Sequence, residues 1–376
     1  MNTLINPFLL MFALMSGNVF ADATGLVKLH KAAEQGIAQA QFKLGLMYRT
    51  GTEVPKDDAQ AVYWYRKAAD QGYAKAQNNL GIMYNDGIGV PKNDTQAVRW
   101  YRKAAEQGYA EAQDNLGLMY LAGTGVPKDD AQAAYWLRKG AKQGDANAQN
   151  NLGLLYKNGT GVPKDDAQAV YWLRKATEQG YANAQNNLGI MYNNGIGVPK
   201  DDTQAVRWYR KAADQGYAVA QNNLGLMYIN GTGVSKNGAQ AVYWLRKAAE
   251  QEYAEAQFNL GLMYFEGTGV PKNVTQAVYW YRKAAEHGIA QAQVELGIMY
   301  RTGTGVLKDD TQAVRWYRKA AEQGNAKAQN NLGIMYIRGT GVPKDDAQAM
   351  YWWRKAAELG NAEAQDNLRI LLKKSY

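Results

Sequence analysis

A unit of thirty-six residues recurs through almost the whole chain, and this period limits the possible folds more than any other feature. The unit is clearest in residues 74–109. Its opening alanine returns without insertion or deletion at Ala38, Ala74, Ala110, Ala146, Ala182, Ala218, Ala254, Ala290, Ala326 and Ala362. A period of this length is typical of stacked solenoids. The sequence therefore predicts nine complete units with a partial unit at each end.

The first half of each unit has the pattern of an amphipathic helix. The apolar residues that share one face of this helix are Ala76, Leu80, Met83 and Tyr84. Their spacing matches the 3.6-residue helical period. Gly81 interrupts this face and recurs in the other units, although glycine in a helix costs about 1 kcal/mol relative to alanine. The recurrence predicts that a neighbouring helix approaches closely at this glycine.

The second half of each unit also predicts a helix, and this one carries aromatic residues. The residues of its apolar face are Ala97, Trp100, Tyr101 and Ala104. A tryptophan stands at the same place in all nine units, which favours core packing over the alternative of ligand stacking. Asp57 with Gln60 predicts a capping box at the start of the helix. The recurring aspartate pairs are interpreted as helix caps, ahead of acid chemistry or metal binding.

The two halves together resemble a known repeat. The order A-x-A-Q-x-x-L-G-x-M-Y-x-x-G-x-G-V-P-K-D, followed by Q-A-V-x-W-Y-R-K-A-A-E-Q-G, is similar to the Sel1-like repeat, a relative of the tetratricopeptide repeat. The similarity extends from Leu26 to the C-terminus. It implies an all-α fold, a right-handed α-solenoid superhelix of antiparallel helix pairs. It also implies a scaffold for protein–protein contacts.

The first twenty-one residues differ from the repeats and have the pattern of a secretory signal. An apolar segment, residues 7–15, precedes Val19 and Ala21, which fit a cleavage site before Asp22. The segment is short for a membrane span, and no Lys or Arg precedes it, which is atypical of a signal. We expect export to the periplasm or beyond, in a bacterial envelope, with an uncleaved anchor as the alternative.

The remaining chain divides into a repeat array and two caps. Residues 22–37 form an N-terminal capping half-repeat, residues 38–361 form nine repeats, and residues 362–376 form a C-terminal capping helix. Arg369 replaces the recurring glycine in the last helix. A bulky charged residue fits a place where no further helix approaches. We expect no transmembrane span in the mature chain.

The residue inventory argues against catalysis and against metal or cofactor binding. There is no cysteine, which excludes disulfides and thiolate sites. The histidines, His30 and His287, lie far apart in sequence, and the three serines, Ser16, Ser235 and Ser375, are in no nucleophile motif. The glycine loops follow a helix and lack the spacing of a phosphate-binding loop. The sequence predicts no enzyme, no metal and no cofactor.

The net charge of +9 belongs to the repeats, because the first twenty-one residues carry no charged side chain. Acidic residues follow many of the basic ones at helical spacing, as Asp70 follows Lys67, and this predicts ion pairs on the helix surface. A basic surface could contact anionic envelope polymers or lipid head groups. The predicted export argues against a nucleic-acid partner.

The sequence also has a longer period, of three thirty-six-residue units. The residue before each tryptophan follows a pattern of Tyr, Arg, Tyr that occurs three times: Tyr63, Arg99, Tyr135, Tyr171, Arg207, Tyr243, Tyr279, Arg315 and Tyr351. Duplication of a three-repeat block explains the pattern. It argues against assigning a unique site to any one repeat.

A recurring asparagine on the first helix is the candidate binding residue. It stands at Asn79, Asn115, Asn151, Asn187, Asn223, Asn259, Asn331 and Asn367. Its face is opposite the buried stripe, and in the related tetratricopeptide repeats that face lines a concave groove. An amide can bind a peptide backbone or sugar hydroxyls. We therefore predict a protein or peptide partner, with a cell-wall polysaccharide or peptidoglycan as the alternative. Hydrogen bonding between neighbouring repeats would explain the asparagines equally well.

Overall fold

The computed structural model describes residues 20–374 and the side chains of residues 25–372. These residues form helices joined by short turns, without any strand. The twenty helices are α1 (Phe20–Glu34), α2 (Ala38–Thr50), α3 (Asp58–Asp70), α4 (Ala74–Asp86), α5 (Asp94–Glu106), α6 (Ala110–Ala122), α7 (Asp130–Lys142), α8 (Ala146–Asn158), α9 (Asp166–Glu178), α10 (Ala182–Asn194), α11 (Asp202–Asp214), α12 (Ala218–Asn230), α13 (Gly238–Glu250), α14 (Ala254–Glu266), α15 (Val274–Glu286), α16 (Ala290–Thr302), α17 (Asp310–Glu322), α18 (Ala326–Arg338), α19 (Asp346–Glu358) and α20 (Ala362–Lys374).

Repeats one to nine each contribute one even-numbered and one odd-numbered helix, from α2 and α3 to α18 and α19. The chain forms two compact units, residues 1–184 and residues 185–376. Within each unit the two helices of a repeat pack together, and the second helix packs against the first helix of the next repeat. The prediction of an all-α solenoid of helix pairs is confirmed. Residues 1–19, which hold most of the predicted signal, lie outside the described part.

The helix ends follow the chemistry predicted from the sequence, with one difference. The Asp57 carboxylate accepts a hydrogen bond of 3.0 Å from the backbone N–H of Gln60, as expected for an N-cap. In a capping box the Gln60 side chain would accept a hydrogen bond from the backbone N–H of Asp57. Here that N–H donates to the Tyr48 carbonyl instead, at 2.9 Å. At the other end of the first helix, Gly87 is left-handed with φ of 70°. The turn between the helices is therefore held by backbone contacts as well as by the cap.

The recurring glycine of the first helix marks the predicted close approach. A Cβ added to Gly81 would lie 2.6 Å from the ring of Tyr101 on the second helix of the same repeat. Where Leu137 replaces the tyrosine, a Cβ on Gly117 would lie 2.7 Å from its Cγ. Both distances are shorter than any normal carbon contact. The missing side chain thus lets the two helices of each repeat touch.

The tryptophans of the second helix link neighbouring repeats. Trp100 is 6% exposed and packs in one cluster with Ala61, Val62 and Met83. Ala61 and Val62 belong to the second helix of the preceding repeat, so equivalent second helices lie side by side. The core assignment is confirmed for six of the recurring tryptophans, whereas three are half-buried: Trp172, Trp208 and Trp280. In the described residues no helix has the length and apolar character needed to cross a membrane.

Candidate functional site

The recurring asparagines form hydrogen bonds between neighbouring repeats. Asn115 Nδ2 donates to Asn78 Oδ1 at 2.9 Å, and Asn151 Nδ2 donates to Asp114 Oδ1 at 2.8 Å. The same rung joins Asn223 to Asn186, Asn259 to Asn222 and Asn367 to Asn330. The acceptor stands one residue before the asparagine position in the preceding repeat, and in these rungs it is buried. Of the two explanations for the recurring asparagines, hydrogen bonding between neighbouring repeats is therefore observed. Contact with a ligand stays a prediction.

The remaining predicted asparagines have other surroundings. Asn79 contributes a side-chain hydrogen bond to Tyr65, because the preceding repeat offers Phe42 at the acceptor position. Asn331 likewise faces a repeat with Val294 at that position. Asn187 is held by an interaction of its own. All eight predicted site residues are half-buried.

Apolar side chains lie on the first helices, three residues after the asparagine position. Leu118 is 40% exposed, Leu46, which follows Lys43, is 43% exposed, and Ile370 in the last helix is 52% exposed. Ile82 and its counterparts in the other repeats are half-buried. The hydrogen bonds of the ladder hold the asparagine side chains in place. The asparagine-bearing face of the first helices therefore combines fixed amides with branched aliphatic groups. Such a surface suits an extended chain that brings both peptide groups and apolar side chains.

One rung of the ladder carries a carboxyl group. Asp114 is 7% exposed and replaces the asparagine found at Asn78. Burial raises the pKa of Asp114 to about 6; the hydrogen bond from Asn151 opposes this rise and the charge of Asp145 adds to it. The ladder is therefore sensitive to pH at this single rung.

A second network, of glutamines, was not predicted from the sequence. Gln77 Nε2 donates to the Ala69 carbonyl of the preceding repeat at 3.0 Å, and Gln77 Oε1 accepts from Gln107 Nε2 at 2.6 Å. Both glutamines recur in most repeats, and their spacing of thirty residues was the available signal. Two substitutions interrupt it. His287 and Leu359 replace the outer glutamine, and the matching buried acceptors are without a partner: Gln257 Oε1 and Gln329 Oε1.

The outer surface of the second helices is aromatic and basic. Tyr63 is 48% exposed, its ring meets Trp64 edge-on at 4.9 Å, and Lys67 Nζ lies 5.4 Å from its centroid. The predicted ion pair forms between Lys175 and Glu178 at 3.1 Å. In six other repeats the prediction was wrong, because the lysine ammonium lies over the tyrosine or tryptophan ring: Lys67, Lys103, Lys211, Lys247, Lys319 and Lys355.

Comparison with protein families settles what these repeats are. The model of the Sel1 repeat matches nine consecutive segments: residues 38–73, 74–109, 110–145, 146–181, 182–217, 218–253, 254–289, 290–325 and 326–361. The chain belongs to the Sel1 repeat family. Sel1 repeats are a solenoid scaffold that generally serves protein interaction. A search of the curated proteins found no match.

Solved Sel1 repeat structures resemble the chain closely. One is c5321, a protective antigen present in uropathogenic Escherichia coli strains; it is 40% identical, with a TM-score of 0.63 over 91% of this chain and 81% of its own. Another is a Sel1 repeat protein from Oxalobacter formigenes, 39% identical, with a TM-score of 0.62 over 82% of this chain and 89% of its own. These similarities support the Sel1 solenoid over most of the chain.

Proposed function

We propose that this Sel1 repeat protein is an exported, non-enzymatic scaffold that binds a protein or peptide partner in a concave groove, lined by the asparagine-bearing face of its first helices. The observation that carries the proposal is the asparagine ladder. Each rung fixes the orientation of a half-buried asparagine, as the bond from Asn115 to Asn78 does. Preorganised polar groups favour binding because little conformational entropy is lost when the partner docks.

The apolar neighbours of the ladder support a peptide partner. Leu118, three residues after Asn115, exposes a branched side chain on the same helix. An extended peptide presents hydrogen-bonding groups and side chains in alternation, which matches a surface of amides next to leucines. The family's general role in protein interaction agrees with this choice.

Site-specific photo-crosslinking tests the proposal. A photoreactive phenylalanine at position 118 should capture a protein partner in cell-envelope extract, whereas the same residue at Lys128 should capture none. Lys128 belongs to the same repeat but lies in a turn, where it pairs with Asp130 at 3.5 Å. The partner is then identified by mass spectrometry and purified.

Affinity measurements with the purified partner complete the test. Leu118→Glu places a charge on the proposed face, and we expect it to weaken binding at least about tenfold, since a buried unpaired charge is costly. Lys128→Gln is the control and should bind as the wild type does. Equal affinity for Leu118→Glu and wild type would refute the first-helix face as the binding surface.

Export is a separate part of the proposal. Residues 1–21 have the composition of a signal segment, and the predicted mature chain starts at Asp22. N-terminal sequencing of the protein from a periplasmic fraction should give Asp22 as the first residue. Protein found in the cytoplasm with an intact Met1 would contradict export and would leave the binding proposal standing.

A further inference from the structure

A basic cleft lies between the second helix of repeat eight and the turn of repeat nine. Its volume is about 280 Å³. The residues that give the cleft its character are Arg315, Arg318, Lys319, Glu322, Gly341 and Val342. Three of these side chains are cationic and one is acidic. The cleft is therefore a site for a negatively charged group.

The three cations are held in place without an ion pair. Arg318 Nη2 donates to the Tyr336 hydroxyl at 2.8 Å, Lys319 Nζ lies 4.7 Å from the Trp316 ring centroid, and Arg315 Cζ lies 6.0 Å from it. In the described part of the chain no carboxylate lies within 4.0 Å of their charged nitrogens. Guanidinium groups bind carboxylate, sulfate and phosphate in a bidentate manner. These cations are positioned and available.

The same cleft residues recur in repeats two and five. Arg99, Arg102 and Lys103 stand at the equivalent places in repeat two, and Arg207, Arg210 and Lys211 stand there in repeat five. The contacts recur as well: Arg102 donates to Tyr120 and Arg210 to Tyr228, while Lys103 and Lys211 lie over Trp100 and Trp208. Repeats two, five and eight are the three whose tryptophan follows an arginine. The two kinds of contact also occur in other repeats, as between Arg246 and Tyr264 and between Lys247 and Trp244. The arginine before the tryptophan is therefore the feature that sets every third repeat apart.

Half-exposed tyrosines take the place of this arginine in the other repeats. In the second compact unit the order along the second helices is Arg207, Tyr243, Tyr279, Arg315 and Tyr351. Tyr243 and Tyr279 are 48% and 50% exposed. The second helices also carry most of the net charge of the chain. Their surface therefore alternates cationic clefts with aromatic rings.

We propose that the basic clefts of repeats two, five and eight bind the anionic groups of a linear acidic polysaccharide. Carboxylate or sulfate groups enter the clefts, and the C–H faces of the sugar rings pack on the tyrosines, whose ring faces carry partial negative charge. Within the second compact unit, the regular spacing of repeats five and eight matches a polymer of regular units. None of the cleft residues belongs to the first-helix face, so this inference is independent of the proposed peptide partner.

The test uses polygalacturonate as the probe and isothermal titration calorimetry with the full chain. The variant Arg99→Tyr/Arg207→Tyr/Arg315→Tyr places in each cleft the residue that six other repeats carry there, so it preserves the fold. We expect this variant to bind polygalacturonate at least about tenfold more weakly than the wild type, because a charge-assisted contact is lost in each cleft. The reverse change, Tyr279→Arg, should strengthen binding.

A matched control separates the clefts from the overall charge. Lys92→Gln/Lys200→Gln/Lys308→Gln removes the same number of charges from the same three repeats, at turn lysines that pair with aspartates. This control should bind polygalacturonate nearly as tightly as the wild type. Equal losses in the control and the arginine variant would overturn the proposal, as would unchanged binding in the arginine variant.

Three further probes decide the class of ligand. Neutral dextran should not bind, and raising the salt concentration should weaken polygalacturonate binding. Oligothymidylate also combines negative charge with rings that stack on tyrosine. Tighter binding of oligothymidylate, or of phosphatidylglycerol vesicles, than of polygalacturonate would overturn the assignment to an acidic polysaccharide.

Discussion

Single residues that depart from the repeat show what the repeated position contributes. Glu252 replaces the closing glycine of its repeat and adopts φ of 64°, where the equivalent Gly72 and Gly108 have 85° and 89°. A left-handed backbone at a residue with a side chain is strained. A Cβ at Gly72 or Gly108 would meet no atom within 4 Å. The cost at Glu252 is therefore in the backbone and not in packing.

Asp114 should make the stability of the chain depend on pH. Its folded-state pKa of about 6 lies above 3.8, the ordinary value of an aspartate carboxyl group. Between these values the folded state binds more protons than the unfolded state, so the free energy of unfolding falls as the pH rises through this window. Asp114→Asn removes this fall and keeps an acceptor for Asn151. We expect it to raise the free energy of unfolding at pH 7 by up to about 3 kcal/mol, and by little at pH 4.

Urea unfolding at both pH values checks this expectation. Asp366 is the matched control, since it stands at the equivalent place in the last helix but is exposed and pairs with Arg369 at 2.7 Å. Asp366→Asn should show no comparable gain at pH 7. A gain for Asp114→Asn that is as large at pH 4 as at pH 7 would contradict the role given to its carboxylate.

Restoring a missing glutamine should stabilise the second network. In repeat eight, Gln323 Nε2 donates to Gln293 Oε1 at 2.8 Å, while in repeat seven His287 leaves the buried Gln257 Oε1 without a donor. His287→Gln supplies that donor, and we expect the free energy of unfolding to rise by about 1 kcal/mol. The opposite change, Gln323→Leu, should lower it by a similar amount. Thermal unfolding in which both variants match the wild type would show that the glutamine pairs contribute nothing.

At the scale of the helices, stability depends on how each second helix packs against its neighbours. Gly81 admits the Tyr101 ring within a repeat, and Trp100 connects that repeat to the one before it. The helix pair and the junction between repeats are therefore separate contacts with separate residues. Tyr63 lies beside a tryptophan but is half-exposed, and it takes part neither in the helix pair nor in the junction between repeats.

Trp100→Ala should destabilise the junction between repeats one and two. Truncating a buried large aromatic residue costs about 3–5 kcal/mol, and Trp100 is 6% exposed. Because repeats couple mainly to their neighbours, the loss of amide protection in hydrogen exchange should centre on α3 to α5. Tyr63→Ala is the control and should leave exchange in these helices nearly unchanged. An unfolding midpoint unaffected by Trp100→Ala would contradict the core assignment.

At the scale of the whole molecule, the period and the apolar spacing were enough to predict the helix pairs, the caps and the buried tryptophans. The candidate site was predicted less completely. The asparagines were visible in the sequence, but only the three-dimensional packing shows that Asn115 bonds to Asn78. The basic clefts were also hidden, because Arg315 and Val342 come from different repeats and meet only when these stack. The spacing of residues along one helix can be read from the sequence. The asparagine ladder and the basic cleft each combine residues from two neighbouring repeats, so that spacing does not predict them.

A three-repeat deletion tests whether the repeats are interchangeable. Removing residues 218–325 joins repeat five to repeat nine and brings Asn331 to Asn186, in place of Val294. The deletion also removes Glu252 and its left-handed backbone. We expect the shortened chain to fold with the same helix content per residue in circular dichroism. Deleting residues 218–315 instead removes a number of residues that is not a multiple of thirty-six, so the remaining repeats are out of register and the helix content should fall. Equal helix content per residue in the two deletion variants would contradict this requirement for register.

The restriction of contacts to sequence neighbours has a mechanical consequence. The capping helices α1 and α20 each pack against the repeat on one side, and a repeat loses one of its two neighbours once its cap is detached. A pulling force applied to the termini should therefore detach repeats one at a time, from an end inward. Each detached unit of thirty-six residues releases about 120 Å of extended chain. The chain would therefore absorb mechanical work in steps, and it would lengthen by one repeat at a time while the remaining helix pairs stay folded.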